Sequence, residues 1–502
     1  MTVNRLILAL PLLALSHTAV QASPRKRAPA PAATPAAAPV DPLPAKVGTL
    51  LAGGPAGTRY GLLVTDTDGK QILAIAPDDR FIPASNTKIF TTSTAFSELP
   101  LLDQNARGTG VRLEPGKRGR QDVVLYGRGD ARLSSAADCK VDCLATLADA
   151  IAARTHKVNG VIGDDTLFPD ERWSPGMSWN NIQGKYGTGI SALTIDDNEL
   201  PATVTPGTVG APPKVDLPGY YTIDNRATTV AGAGRDIDVF REPNSYVIRL
   251  TGSIGADAKP ATLVFGIDDP ARYAAWRMRA LLEARGVKVR GDISARHRAL
   301  LPTDDPAKRA GAPATPPPLP EMLAELPPLP LAEDVHIIQK VSQNLHAELL
   351  LRRVSRQSGS GSIADGAAVV DGIMARAGLP AGSYSLSDGS GMSSYNRITP
   401  RAAVTLLTWI ARQPWSAAWR ETLPVGGIDG TLRARFHGTA LDGKLFAKTG
   451  SLNASRALSG YMITRSGKTL IFSALANDMP PGRDDDATAA VDRALVAIAE
   501  AE

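Results

Sequence analysis

The chain has 502 residues, 43% of them hydrophobic and 21% charged, with a net charge of +5. That length exceeds one typical core and predicts two or three domains, and the balance fits a globular protein rather than a fibrous or disordered one, with 46 glycines and 39 prolines pointing to many loops. The positive charge is spread out, without the basic run interleaved with aromatics that a nucleic-acid surface needs, so no nucleic-acid partner is expected.

The first 22 residues, "MTVNRLILALPLLALSHTAVQA", combine one early positive charge, an apolar run over 6–15 and small residues at Val20 and Ala22. This is the pattern of a secretory signal peptide cut near Ala22. An uncleaved anchor is the alternative, but the run falls short of the roughly 20 apolar residues of a spanning helix. No later stretch is long and apolar enough to span, so the mature chain should lack a transmembrane anchor and work outside the cytoplasm. An Ala/Pro-rich tether follows over 23–45, with almost nothing to bury, and the folded part should begin near Lys46.

"YGLLVTDTDGKQILAI" from Tyr60 reads as two strands around an Asp-Gly turn, and a helix should start near Ser85. Cys139 and Cys143 stand four apart, with no nearby histidine to complete a zinc site and without the C-x-x-C spacing of a redox pair. In an oxidising compartment they suit a small local disulfide; two free thiols are the plain alternative. The middle, about 110–298, offers short strand-like runs such as "SYVIRL" and "ATLVFGI" between Gly and Pro clusters, interrupted by one helical stretch, "ARYAAWRMRALLEARG". A Pro-rich stretch over 302–330 reads as an exposed connector. From Asp334, a candidate cap, "DVHIIQKVSQNLHAELLLRRV" places Ile338, Val341, Leu345 and Leu349 at helical spacing. The C-terminal part reads as antiparallel strands with a turn at Ser466 and Gly467, closed by a helix. These elements predict an α+β outer domain with an inserted, mostly β unit and no internal repeat.

"FIPASNTKIF" sets Ser85 three residues before Lys88. An S-x-x-K should arise about twice by chance in such a chain, so alone it decides nothing. Downstream come "SQN" at Ser342, Gln343 and Asn344, then "KTG" at Lys448, Thr449 and Gly450; a K-T-G triplet should occur by chance in only about one chain in ten. Each has a plain reading: helix cap, solvated lysine, polar helix face, charged strand edge. The ordered trio is the set of penicillin-binding proteins and serine β-lactamases. A serine hydroxyl needs a neighbouring base, and Lys88 projects from the same helical face, where the helix N-terminus and desolvation disfavour its ammonium form. Ser342 can relay a proton from Lys88 to a leaving amine, and Asn344 can bind a substrate amide. Lys448, on an edge strand, offers a positive charge to a substrate carboxylate, with Thr449 as a second donor. Gly450 would let an extended peptide approach the backbone, and the N–H groups of Ser85 and Ser451 would form an oxyanion hole.

With "PASNTKIFTT", "GRGDARL", "YGTGISALTIDDN", "SQNLHAELLLR", "DGSGMSSYNRITP" and "GTLRARF" before "AKTGSL", the chain resembles, from about residue 46 to its end, the D-alanyl-D-alanine carboxypeptidase/endopeptidase family of low-molecular-mass penicillin-binding proteins (class C, type 4). In that family a large insert separates the first two motifs, and here 257 positions separate Ser85 from Ser342. The resemblance implies a transpeptidase-like domain, an antiparallel sheet with helices, over 46–105 and 325–502. It implies an accessory domain over 106–196 and 263–300, a third domain nested within it over 197–262, and a Pro-rich loop over 301–324. It implies Ser85, Lys88 and Ser342 as catalytic residues and Asn344, Lys448, Thr449 and Gly450 as substrate-binding ones, with no cofactor and no metal. The expected enzyme is a periplasmic serine DD-peptidase acting on peptidoglycan peptides through an acyl-enzyme on Ser85, with β-lactams as covalent inhibitors. A serine β-lactamase, lacking here the class A glutamate motif, and a catalytically silent wall-binding protein are the alternatives. Ser394 and Asn396 also spell S-x-N but lack the "SxNLxAE" context. Two departures stand out: Ala131 replaces the family's usual proline, and Asn180 and Asn181 lie near where some relatives place an aspartate that contacts the substrate's free amino group.

Overall fold

The computed structural model describes residues 42–100, 107–311, 318, 320–328, 330–356 and 359–502. The expected signal peptide, and the tether as far as residue 41, lie outside them. Helix Pro42–Ala52 buries Leu43, Val47 and Leu51, one residue per turn, so ordered helix begins four positions ahead of the expected start. The hairpin read from alternation is present. Strand Arg59–Asp66 pairs antiparallel with Gln71–Ile75, and Gly69 supplies the left-handed residue of the turn at φ 91°.

This hairpin joins three strands from the other end of the chain. The sheet order is Leu445–Leu452, Ser455–Ile463, Thr469–Asn477, Arg59–Asp66, Gln71–Ile75, antiparallel throughout. Both faces are buried, which is why its central strands are so largely apolar. On one face Leu62, Val64, Leu458 and Phe472 pack with Leu43, Val47 and Leu51 of the first helix and with Leu495 and Ile498 of helix Asp484–Ala501. On the other face Leu63, Ile471 and Leu475 pack with Ile89 and Phe90 of helix Thr87–Glu98, Ile338 of helix Leu331–Lys340, Leu350 of helix Asn344–Ser355 and Leu406 of helix Pro400–Ala411. A sheet covered by helices on both sides is thus closed by the two ends of the described chain.

The residues between the first and second motifs build other sheets. One has five strands in the order Ile293–Arg298, Val161–Pro169, Gln121–Tyr126, Gly110–Pro115, Ala324–Glu325, with parallel pairs on either side of Val161–Pro169. Helix Pro270–Ala284 matches the helical stretch read from spacing; helix Leu144–Arg154, which buries Leu147 and Ile151, is an addition to that reading. A four-stranded and a three-stranded sheet lie within this insert, and one hydrophobic cluster includes both Val161 and Ile248. Cys139 and Cys143 are joined by a disulfide, their Cα atoms 5.7 Å apart. Ala131 is buried with Leu345 and Leu349. Among the described residues no helix is long and apolar enough to cross a membrane.

Candidate active site

The turn Ala84–Asn86 runs directly into helix Thr87–Glu98. Ala84 holds φ at 46°, a left-handed conformation that a non-glycine residue adopts only when its surroundings impose it. Ser85 and Lys88 then share a helical face, and the Lys88 ammonium donates to Ser85 Oγ at 2.9 Å, to Asn344 Oδ1 at 2.7 Å and to the Ser390 carbonyl at 2.7 Å. Lys88 has no exposed surface. Burial pushes its pKa down from 10.5 to about 7, against the opposing pull of the Asp388 and Glu348 carboxylates.

The single helix expected from Asp334 onward is two, Leu331–Lys340 and Asn344–Ser355. The chain breaks because Ser342 sits at φ 61° and Gln343 caps the second helix, its side chain accepting from the Leu345 N–H. Val341, expected in the apolar stripe, is 66% exposed. Asp334 is not the cap either; it lies inside the first helix, fully buried, accepting from Arg353 and paired with His346. Breaking the helix turns Ser342 toward the third motif, and Ser342 Oγ accepts from Lys448 Nζ at 2.9 Å. The ammonium on Ser342 is therefore that of Lys448, where the sequence points to Lys88. Asn344 is engaged at both ends, its Nδ2 donating to the Tyr186 carbonyl at 3.0 Å. A substrate amide must compete with that carbonyl.

Lys448, Thr449, Gly450 and Ser451 lie on strand Leu445–Leu452, at the end of the sheet. The edge is only partly open. Ala447 N–H donates to the Pro424 carbonyl at 3.0 Å and Gly426 N–H to the Leu445 carbonyl at 2.9 Å. Backbone groups of a strand alternate in direction, so those of Thr449 and Ser451 point the same way as those of Ala447, past the end of this cover. Lys448 is fully buried, and burial together with the nearby Lys88 charge holds its pKa well below the usual lysine range. A carboxylate arriving beside it would push the other way. Gly450 has a different reason from the one expected: a Cβ there would stand 2.6 Å from the Pro83 carbonyl and 3.2 Å from the Asn86 nitrogen. It lets the strand lie against the turn that carries Ser85. Asn86 Nδ2 locks that contact by donating to the Lys448 carbonyl at 2.8 Å.

The segment 388–396 completes the floor. Glu348 Oε1 accepts from the N–H groups of Gly389 and Ser390, which aims the Ser390 carbonyl at Lys88. Gly391, at φ 92°, passes so close to Ala84 that a Cβ would lie 1.9 Å from its carbonyl oxygen. The second S-x-N in this segment is structural: Ser394 Oγ donates to the Gly176 carbonyl and Asn396 Nδ2 to Asp388. The Ser390 and Tyr186 carbonyls carry no side-chain signature, so sequence reasoning has no means of finding them. The motif residues surround a cleft of about 630 Å³ lined by Ser85, Tyr186, Ser342, Asn344, Thr449 and Ser451, and Asn181 also reaches it. Asn180 instead accepts from Ser178 Oγ. Among the described residues no group of three or more His, Cys, Asp or Glu side chains could hold a metal ion.

Residues 43–501 match the model of a family described as D-Ala-D-Ala carboxypeptidase 3 (S13). The chain is 34% identical to a D-alanyl-D-alanine carboxypeptidase of an Actinomadura species over 84% of its own length and 78% of the relative's. In fold it is similar to the crystal structure of penicillin binding protein 4 of Haemophilus influenzae, with a TM-score of 0.75 and 22% identity over 89% of this chain and 98% of the other. A second structure of that protein, complexed with a β-lactam, gives a TM-score of 0.69 at 22% identity over the same shares.

Proposed function

The chain belongs to the D-Ala-D-Ala carboxypeptidase 3 (S13) family, and from that premise we propose that it is a serine DD-peptidase with Ser85 as its nucleophile. The observation that carries the reading is the Lys88 amine, desolvated and 2.9 Å from Ser85 Oγ beside the cleft that the three motifs share. Neutral Lys88 takes the Ser85 proton as the oxygen attacks the carbonyl between two D-alanines. The N–H groups of Ser85 and Ser451 receive the developing oxyanion. Lys448 and Thr449 bind the terminal carboxylate, and Ser342, held by Lys448, relays to the departing amine the proton that Lys88 took from Ser85, which leaves Lys88 neutral again for the deacylating water. Water then hydrolyses the acyl-enzyme. A β-lactam enters as a mimic of the dipeptide and acylates the same serine.

Peptidoglycan stem peptides are the proposed substrates, by removal of terminal D-alanine or by cleavage of D-alanyl cross-links. The periplasm is the proposed location, reached through the N-terminal signal. The test incubates wild type and Ser85→Ala with a pentapeptide ending in D-Ala-D-Ala and with cross-linked muropeptides. Wild type should release D-alanine or cleave the cross-link and Ser85→Ala should do neither; an inactive wild type refutes the reading.

A further inference from the structure

Lys340 ends helix Leu331–Lys340, two residues before Ser342, and its ammonium has no part in the chemistry above. It is 9% exposed. It donates to the Leu423 carbonyl at 2.6 Å and to Asp429 Oδ2 at 2.6 Å. The other Asp429 oxygen accepts from the Val425 N–H at 2.9 Å. Gly430 follows at φ 56°, so close that a Cβ would lie 2.7 Å from the Lys340 carbonyl. The next residue, Thr431, has its hydroxyl 2.7 Å from that of Thr449.

One buried cation therefore ties together two parts of the cleft. On one side is the backbone leading into Ser342. On the other is the segment 423–431, which is strapped to strand Leu445–Leu452 through Pro424 and Gly426 and touches Thr449 through Thr431. Removing the ammonium would leave a buried carbonyl and a partly buried carboxylate without their partner.

We propose that Lys340, acting through Asp429, is a positioning residue that sets the Ser342 and Thr449 hydroxyls at their working separation. The assignment rests on the reading of the cleft as a DD-peptidase site. A misplacement of about 1 Å in such a site costs up to roughly 100-fold in rate.

The test is a double-mutant cycle on the full chain, read as the second-order rate of acylation by benzylpenicillin and as kcat/KM on a D-Ala-D-Ala peptide. Lys340→Met should lower both by about 10- to 100-fold. In a Ser342→Ala background the same change should cost less, by at least about threefold, because one of the hydroxyls it positions is already gone. Lys340→Arg, which keeps a charged donor, should recover most of the rate. Equal losses in both backgrounds, or a Lys340→Met chain acylated at the wild-type rate, overturn the assignment. Should Lys340→Met fail to fold, the nearly isosteric Asp429→Asn goes through the same cycle with the same expected outcomes. A wild-type chain that neither releases D-alanine nor is acylated refutes the underlying reading instead, so the two failures are distinguishable.

Discussion

Raising the pH should speed Ser85 acylation through Lys88 over a defined window. The base must be neutral, and a depressed pKa raises the neutral fraction at a given pH. With its pKa at about 7 rather than 10.5, half of Lys88 is neutral at pH 7, against about 0.03% for an unperturbed lysine, so burial raises the population of competent base about 1,600-fold. The neutral fraction rises with pH, from about one-tenth at pH 6 to about nine-tenths at pH 8, so acylation should rise up to about tenfold over that interval and then fall at higher pH as Lys448, its own pKa lowered by burial and the nearby Lys88 charge, loses the charge that binds the carboxylate. The assay is the second-order rate of benzylpenicillin acylation from about pH 5.5 to 9.5, where the inhibitor's carboxylate stays ionised. Glu348→Gln keeps an oxygen for the Gly389 and Ser390 N–H groups but removes a charge that raises the Lys88 pKa, so the inflection should move to lower pH. A flat profile or a rate still climbing above about pH 9 would refute the assignment of Lys88 as the base.

Gly391→Ala should collide with the Ala84 carbonyl and force a side chain into a left-handed conformation, costing about 1–3 kcal/mol; a thermal melt and penicillin labelling together should show lower stability and weaker acylation. Asn344→Ala removes an acceptor from buried Lys88 and frees the Tyr186 carbonyl, and kcat on the peptide should fall by at least about tenfold, as measured by D-alanine release. Replacing both Cys139 and Cys143 with serine opens only a short loop, so denaturant titration should show a loss of no more than about 2 kcal/mol, with acylation unchanged.

The chemistry is legible in the sequence where it resides in side chains close together in the chain. Ser85 with Lys88, Ser342 with Asn344, and Lys448 with Thr449 each form a short motif, and the fold gathers them around one cleft. Backbone acceptors leave no such mark: the Ser390 and Tyr186 carbonyls are set by Glu348, by Gly391 and by the insert's path, none of which spacing reveals. The break at Ser342 escapes periodicity because apolar residues at helical spacing continue through it; only the left-handed serine and the Gln343 cap interrupt the backbone. Asp334 shows the converse error, since an acidic residue before an apolar run suits a cap, yet here it is buried against His346 and Arg353. Gly450 matters for its neighbour in the fold, the Pro83 carbonyl, a contact that no local reading of "KTG" contains.

The partial cover on strand Leu445–Leu452 has a consequence for what can dock. With Pro424 and Gly426 occupying the edge as far as Ala447, the vacant part runs over about four residues, roughly 13 Å of strand. A short, flexible peptide can add itself there as a sixth, fragmentary strand. A folded protein offering a full-length edge meets the cover first, so this edge of the sheet is open to a short peptide and shielded from strand-to-strand association; the opposite edge is strand Gln71–Ile75.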